Sequence, residues 1–215
     1  MSRVPDFFGL GADTNLTSVD FADMATGEKF ITYYFGKGTS LFLAKPNTFY
    51  SEDIYSDAIN CGGGGTFLRK AEYDFDIALN SQMVLWGSSL ITIPMMMIGG
   101  ASDMYNDAYF CVYVRKYNGS AETHVVSGSS TIFTGTAATT LYKRATLPIT
   151  IPQTTFNKGS YIRITLELWT RSYNSAGSSP TIRIGHDPMA RTDAVWTNTT
   201  ILPNIVFNMP IKVSS

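Results

Sequence analysis

The chain has 215 residues, of which 44% are hydrophobic and only 15% charged, with a formal net charge of −1. No Lys/Arg cluster able to neutralise a run of phosphates occurs, which argues against nucleic acid as a direct ligand, and the length suits one large all-β domain. A charged share below the about 25% of an average soluble domain leaves a surface of Ser, Thr, Asn, Gly and Tyr. Such a surface fits either a protein packed against neighbours or a plain polar β-protein.

Met1 to Leu10 lacks an apolar stretch of signal-peptide length, and Leu90 to Ile98 is too short to cross a bilayer, so the expectation is a soluble, unprocessed product with no membrane contact. Cys61 and Cys111 cannot make a metal cage or a disulfide framework. Two buried free thiols are expected, and a single disulfide stays geometrically open. The sequons at Asn15, Asn118 and Asn198 arise by chance in a Ser/Thr/Asn-rich chain.

Residues 1–29 show no sustained period and read as an extended N-terminal arm, with a short turn of helix around Ser18 to Met24. Such an arm packs along its own sandwich or reaches a neighbouring subunit. Residues 30–215 read as a single sandwich domain. Phe30 to Phe35 and Ser40 to Leu43 flank Gly36-Lys37-Gly38-Thr39, a hairpin turn, and Ser51 to Asn60 is the next candidate strand. The run Gly62 to Gly65 marks a turn. A phosphate-binding loop would need a Lys-Ser/Thr pair opening a helix after the last glycine, whereas Thr66, Phe67 and Leu68 begin a strand.

Tyr73, Phe75, Ile77 and Leu79 share one face and Asp74, Asp76 and Ala78 the other. Val84 to Trp86 and Leu90 to Met97 follow, the second interrupted by Pro94, which lacks a ladder donor and belongs at an edge or bulge. Met95, Met96 and Met97 read as core filler. Tyr109 to Tyr117 puts Phe110, Val112 and Val114 inward, and Asn118-Gly119 returns the chain into Glu122 to Ser127. Ser127 to Thr140 reads as a long loop. Thr146 to Ile151 and Tyr161 to Trp169 alternate strictly, with Ile162, Ile164, Leu166 and Leu168 on the buried side. Thr181 to Gly185 and Ile205 to Val213 close the series around an irregular His186 to Thr200. Short strands with Gly/Asn turns and no required helix describe an all-β antiparallel β-sandwich, of jelly-roll type with about eight principal strands.

Groups able to perform chemistry are scattered. A nucleophilic triad needs a histidine, and His124 reads as an exposed strand residue without a serine elbow nearby. His186-Asp187-Pro188 with Arg191 and Asp193 reads as a turn in which Asp187 bends the chain and Arg191 pairs with Asp193. Asp74 and Asp76 resemble a hydrolytic carboxylate pair in spacing, but sit equally well on a solvated face. Asp103, Asn106 and Asp107 form at most a weak calcium set. No cofactor, no metal site and no enzymatic activity are therefore expected. The aromatic residues offer one alternative: Trp169, Trp196 and Tyr113 are the candidate rings for stacking on a sugar face, although aromatic residues are equally favoured in strands and at protein interfaces.

The segments Leu147-Pro-Ile-Thr-Ile-Pro, Phe156-Asn-Lys-Gly-Ser-Tyr-Ile-Arg-Ile-Thr-Leu-Glu and Ile184-Gly-His-Asp-Pro resemble closing strands of jelly-roll virion proteins of tailed phages, head-decoration (cement) or fibre-type modules. Tyr109-Phe-Cys-Val-Tyr-Val-Arg-Lys-Tyr-Asn-Gly-Ser is similar to their central hairpin. The likeness covers about half the chain and transfers no functional residue. It implies a non-enzymatic structural subunit, a bacteriophage capsid decoration, cement or minor capsid protein located in the virion. Its expected partners are the major capsid protein or other virion subunits, and its own copies in a homo-oligomer with a trimer favoured. The alternative is a carbohydrate-binding β-sandwich module at a host-contact surface of a tail or fibre.

Overall fold

Apolar residues at every second position give each strand one face to bury and one to hydrate, and the backbone answers with strands. The computed structural model describes residues 28–37, 41–44, 51–62, 64–100, 105–173 and 180–212, and among them the regular elements are twelve strands. These are β1 (Glu28–Lys37), β2 (Leu41–Ala44), β3 (Ile59–Asn60), β4 (Leu68–Ala78), β5 (Met83–Ile98) and β6 (Tyr105–Tyr117) in the first half. The second half holds β7 (Glu122–Ser129), β8 (Phe133–Thr134), β9 (Thr140–Phe156), β10 (Tyr161–Tyr173), β11 (Thr181–Ile184) and β12 (Val206–Lys212). The arm expected over 1–29 lies outside the described residues up to residue 27, and its last two positions, Glu28 and Lys29, open β1.

The hydrogen-bonded order is β3, β11, β5, β12, β1, β2, β4, β10, β6, β7, with β9 on the other edge of β5 and β8 against β6. Pairing is antiparallel throughout except where β2 meets β4 at the single parallel pair Phe42 and Asp76. That pair is the corner at which the path folds over itself, leaving β9, β5, β12 and β1 in one layer and β4, β10, β6 and β7 in the other. At the opposite edge β7 comes close to β9: a Cβ on Gly128 would lie 3.2 Å from Cγ1 of Ile149. Between the layers Ile91, Ile93, Leu147, Ile149 and Phe207 face Phe110, Val112, Ile164, Leu166 and Leu168, all buried. Phe35 of β1 and Phe75 of β4 meet edge-on with ring centroids 4.4 Å apart, tying the layers together. Burying each such side chain contributes about 1.5–3 kcal/mol. The all-β antiparallel sandwich is thus the fold.

Several boundaries differ from expectation for local reasons. Of Ser51 to Asn60, only Ile59–Asn60 is a strand, and Tyr55 makes an isolated bridge to Gly185. The Ser51 hydroxyl accepts from the Lys37 backbone N–H at 2.9 Å and donates to the Asp53 carbonyl at 2.7 Å, so side-chain bonds replace a ladder there. The two strands expected over Val84 to Met97 are one, β5, in which Gly87 takes a φ of 115° where the register against β9 slips. Pro94 stands inside this central strand. Its carbonyl accepts from Gly185 at 3.1 Å, so its nitrogen faces the same side, between the residues paired with β12 and those paired with β11. No ladder donor is needed at that change of partner.

Past β11 the chain lies over the outer face of the β5/β9 layer. Tyr142 donates its hydroxyl to the Val195 carbonyl at 3.1 Å, and Arg144 reaches the Thr200 carbonyl at 3.4 Å. This strap covers the C-terminal half of β5, which is why the outward Met96 is buried alongside the inward Met95 and Met97.

Candidate functional site

The outer face of the other layer carries a connected set of polar and aromatic side chains. β10 lies between β4 and β6, and its outward residues Arg163, Thr165, Glu167, Trp169 and Arg171 are therefore flanked on both sides. Register puts Glu167 opposite Glu72 and Cys111, Trp169 opposite Arg69 and Tyr109, and Arg171 opposite Asp107. A β-bulge between Leu168 and Trp169 turns Arg69 toward this face.

Glu167 is only 5% exposed although it points away from the core. Its carboxylate accepts from Arg69 Nη1 at 2.8 Å, from Trp169 Nε1 at 2.8 Å and from the Tyr113 hydroxyl at 3.3 Å. Burial pulls the Glu167 carboxyl upward. The hydrogen bonds from Trp169 and Arg69, with the Arg69 charge, outweigh it and hold the group below the ordinary glutamate value. Trp169 stacks on Tyr109 at 6.1 Å, and Tyr109 meets Phe67 edge-on at 4.9 Å. Arg171 lies 4.5 Å over the Phe67 ring and pairs with Asp107 at 2.8 Å. Toward the other end Arg163 grips Asp76 through two 2.7 Å hydrogen bonds, pairs with Glu122 and lies 3.8 Å over Tyr117. Thr165 donates to Asp74 at 2.6 Å. The result is a preformed surface of guanidinium, carboxylate and ring.

Trp169 and Tyr113, separated by 56 positions, therefore share one carboxylate. Trp196 does not join them. It is fully buried beneath the strap, donating Nε1 to the Ile201 carbonyl at 2.8 Å and contacting Tyr142 and Tyr55 at 5.4 and 6.3 Å, so it offers no ring face to a sugar. Asp74 and Asp76 are engaged by Thr165 and Arg163 rather than spanning a cleft. Asn106 points inward and Asp107 outward, as neighbours on a strand must, so they do not converge on a cation; Asp103 lies outside the described residues. Among the described residues no group of three or more His, Cys, Asp and Glu could hold a metal ion. Cys61 is buried and Cys111 half-buried, both as free thiols, and burial raises the pKa of each. His124 is exposed, its ring edge toward Tyr113 at 6.1 Å. Glu167 and Arg69 were not singled out from sequence, because 98 positions separate them and their meeting depends on the β4/β10 register.

A second cluster pins the strap. Asp187 turns the chain as expected, its carbonyl accepting from Ala190 at 2.9 Å. Arg191, however, pairs with Asp187 at 2.9 Å and not with Asp193, whose carboxylate caps the Val195 and Trp196 N–H groups and accepts the Tyr55 hydroxyl. Adjacent turn geometry brings Arg191 back over Asp187, four residues earlier. His186 beside it is buried, with Nδ1 lacking a hydrogen-bond partner. Burial depresses its pKa below the ordinary histidine value of 6.5, against the opposing pull of the Asp53 and Asp187 charges. The folded ring resists a proton that the unfolded chain accepts below about pH 6.5. Stability from this group is complete above that pH and declines as pH falls through the window beneath it. Urea titrations between pH 7 and 5 should show the midpoint falling for the native chain and a flatter response for His186→Gln.

No protein-family model and no curated protein matches the sequence. Among solved structures, an α-amino acid ester hydrolase matches over 85% of this chain and 36% of its own, at 12% identity and a TM-score of 0.52. An aminopeptidase from the marine sediment archaeon Thaumarchaeota archaeon matches over 87% and 37%, at 12% identity and a TM-score of 0.49. The chain thus spans little more than a third of the hydrolases it matches. The VP2 protein of infectious bursal disease virus matches over 96% and 40% at 14% identity, with a TM-score of 0.38, a likeness too loose to equate the folds.

At these identities the likeness establishes the fold: an antiparallel β-sandwich of the kind found within an ester hydrolase. The structure matched at a TM-score of 0.52 is an ester hydrolase and not a tailed-phage protein. That finding corrects the expectation of a non-enzymatic capsid decoration or minor capsid subunit, and with it the expectation of no enzymatic role. The carbohydrate-binding alternative is not better supported.

Proposed function

We propose that this chain forms part of a hydrolase, which it serves as a β-sandwich docked onto the catalytic portion through the outer face of β4, β10, β6 and β7. The observation that carries the reading is the constellation around Glu167. Trp, Tyr and Arg are the side chains that supply most binding energy at protein interfaces, and here they are clustered on one sheet face. Each is already held by a neighbour, through Glu167, Asp107 or Asp76, so little side-chain entropy is left to lose on docking. The sandwich likeness to an ester hydrolase, over about a third of that protein, supports a division in which the bond-breaking groups sit outside this fold.

The test is activity that travels with the face. The full chain, purified with its natural partners under mild conditions, is expected to carry hydrolysis of an α-amino-acid methyl ester. Arg69→Ala combined with Trp169→Ala should strip that activity from the purified material while circular dichroism stays unchanged, and Lys158→Ala, in the exposed turn before β10, should leave it in place. Absence of the activity from the native preparation, or its persistence in the double variant, would remove the proposal.

A further inference from the structure

Along one side the two layers of the sandwich share no ladder. Among the described residues β7 pairs only with β6 and β9 only with β5, so each presents an edge without a strand partner. The two edges touch at Gly128 and Ile149, and nearer the turns that follow β6 and β9 they leave an open cavity of about 190 Å³. Its lining includes Lys116, Asn118, Thr123, Thr155, Asn157 and Ser160. A cavity of about 150 Å³ is enough to admit benzene, so this one admits a group the size of a small residue. Lys116 stands opposite Ile162 and Thr123, and opposite residues of antiparallel strands share a face, so its stem leaves the inward side of β6 at the mouth of the sandwich. Its ammonium lies 5.4 Å over the Phe156 ring of the other layer. Among the described residues no carboxylate pairs with this half-buried lysine, and the side chains of Thr123, Thr155 and Asn157 make no hydrogen bond. The rim is fixed by its own bonds: Asn118 Oδ1 accepts from the Ser120 and Ala121 N–H groups at 3.0 and 2.7 Å, and the Ser160 hydroxyl donates to the Asn157 carbonyl at 2.6 Å.

We infer that this cavity captures the C-terminal carboxylate of an extended peptide. An unpaired cation beside idle hydroxyl and amide groups calls for an anion, and the charge count selects which. One lysine balances one negative charge. A phosphate monoester carries about −1.5 to −2 and would be left partly uncompensated, whereas an α-carboxylate, with a pKa of about 3.3–3.7, carries one at neutral pH. The residues before that carboxylate meet a sheet edge, where strand addition supplies a peptide with main-chain hydrogen bonds. β7 is the better template of the two edges, because Pro148 and Pro152 of β9 have no N–H to offer. The peptide thus enters from solvent along the start of β7. Its last residue, small and polar to suit Thr123, Thr155 and Asn157, sets its carboxylate on Lys116 Nζ.

The experiment titrates the full chain into a fluorescein-labelled Gly-Ser-Thr-Ser peptide with a free C-terminus and follows fluorescence anisotropy. Saturable binding is expected, and the same peptide with an amidated C-terminus should bind at least about tenfold more weakly, the effect of losing a hydrogen bond between charged groups. Lys116→Met keeps the stem over Phe156 but not the charge, and should bring the free acid down to the affinity of the amide. Lys116→Arg should restore binding, and Lys158→Ala, which removes a cation from the turn beside the cavity, should leave it unchanged. Acetate should displace the peptide at least as well as inorganic phosphate does. Equal binding of acid and amide, full affinity in Lys116→Met, stronger displacement by phosphate, or no saturable binding would each overturn the inference. The comparison of acid with amide is made on the native chain, so it holds whatever the variants do to folding. The site lies at the end of the sandwich, and its outcome is separate from that at the Glu167 face.

Discussion

Trp196→Ala should lower the stability of the chain by about 3–5 kcal/mol, the cost of truncating a fully buried tryptophan. For a domain of this size that corresponds to a fall in melting temperature of about 6–20 °C, measurable by scanning calorimetry. The ring is completely enclosed, and truncation empties the space between Tyr142 and Tyr55 while leaving the Ile201 carbonyl without the indole N–H. Trp196→Phe restores most of the packing but not the donor, and should recover all but roughly 1–2 kcal/mol. The loss should be confined to stability, because the strap and the Glu167 face lie on opposite layers. A destabilisation under 1 kcal/mol would mean that the strap is not fastened by this side chain.

Asp187→Ala is the second large effect. The carboxylate is fully buried and accepts from the Arg191 backbone N–H at 2.7 Å and from Arg191 Nε and Nη2 at 2.9 and 3.1 Å. Arg191 in turn reaches the Ser51 carbonyl at 2.6 Å, so the pair ties the strap to the segment after β2. Removing one partner of a buried ion pair leaves the other charge uncompensated and costs about 3–5 kcal/mol. Because Arg191 remains partly hydrated, the lower end is expected. Asp187→Asn retains an acceptor of the same shape and should cost about half as much. Denaturant unfolding gives the magnitude. Limited proteolysis locates it, with cleavage between 189 and 200 rising in Asp187→Ala; unchanged cleavage there would show that the strap is held by other contacts.

Individual residues show how far sequence reasoning reached. Ile162, Ile164, Leu166 and Leu168 alternate in the sequence and are all buried in the structure, because a period of two is a property of the strand itself. The hairpin at Asn118-Gly119 was legible for the same reason: Gly119 takes a φ of 93°, and the Asn118 side chain accepts from the Ala121 N–H at 2.7 Å, all within four residues. In sequence Trp169 and Trp196 were equal candidates for a ring that stacks on a sugar face. One lies half-buried on a sheet face and the other entirely under the strap. The resemblance to phage virion proteins followed strand phrasing, which any antiparallel sandwich of this composition shares; the hydrolase likeness became visible only when the path of the strands could be compared.

Most of the local order was settled by the amino-acid sequence alone: which side of each strand faces the core, where glycine and asparagine turn the chain, and that the architecture is all-β, though not every strand boundary. Partnership was settled by the tertiary structure. Glu167 alternates outward like Thr165, yet it is enclosed because β4 brings Arg69 from 98 positions away and β6 brings Tyr113 from 54. The physical reason is that pleat and turn depend on neighbours a few bonds apart, whereas register and coverage depend on which distant strands lie side by side.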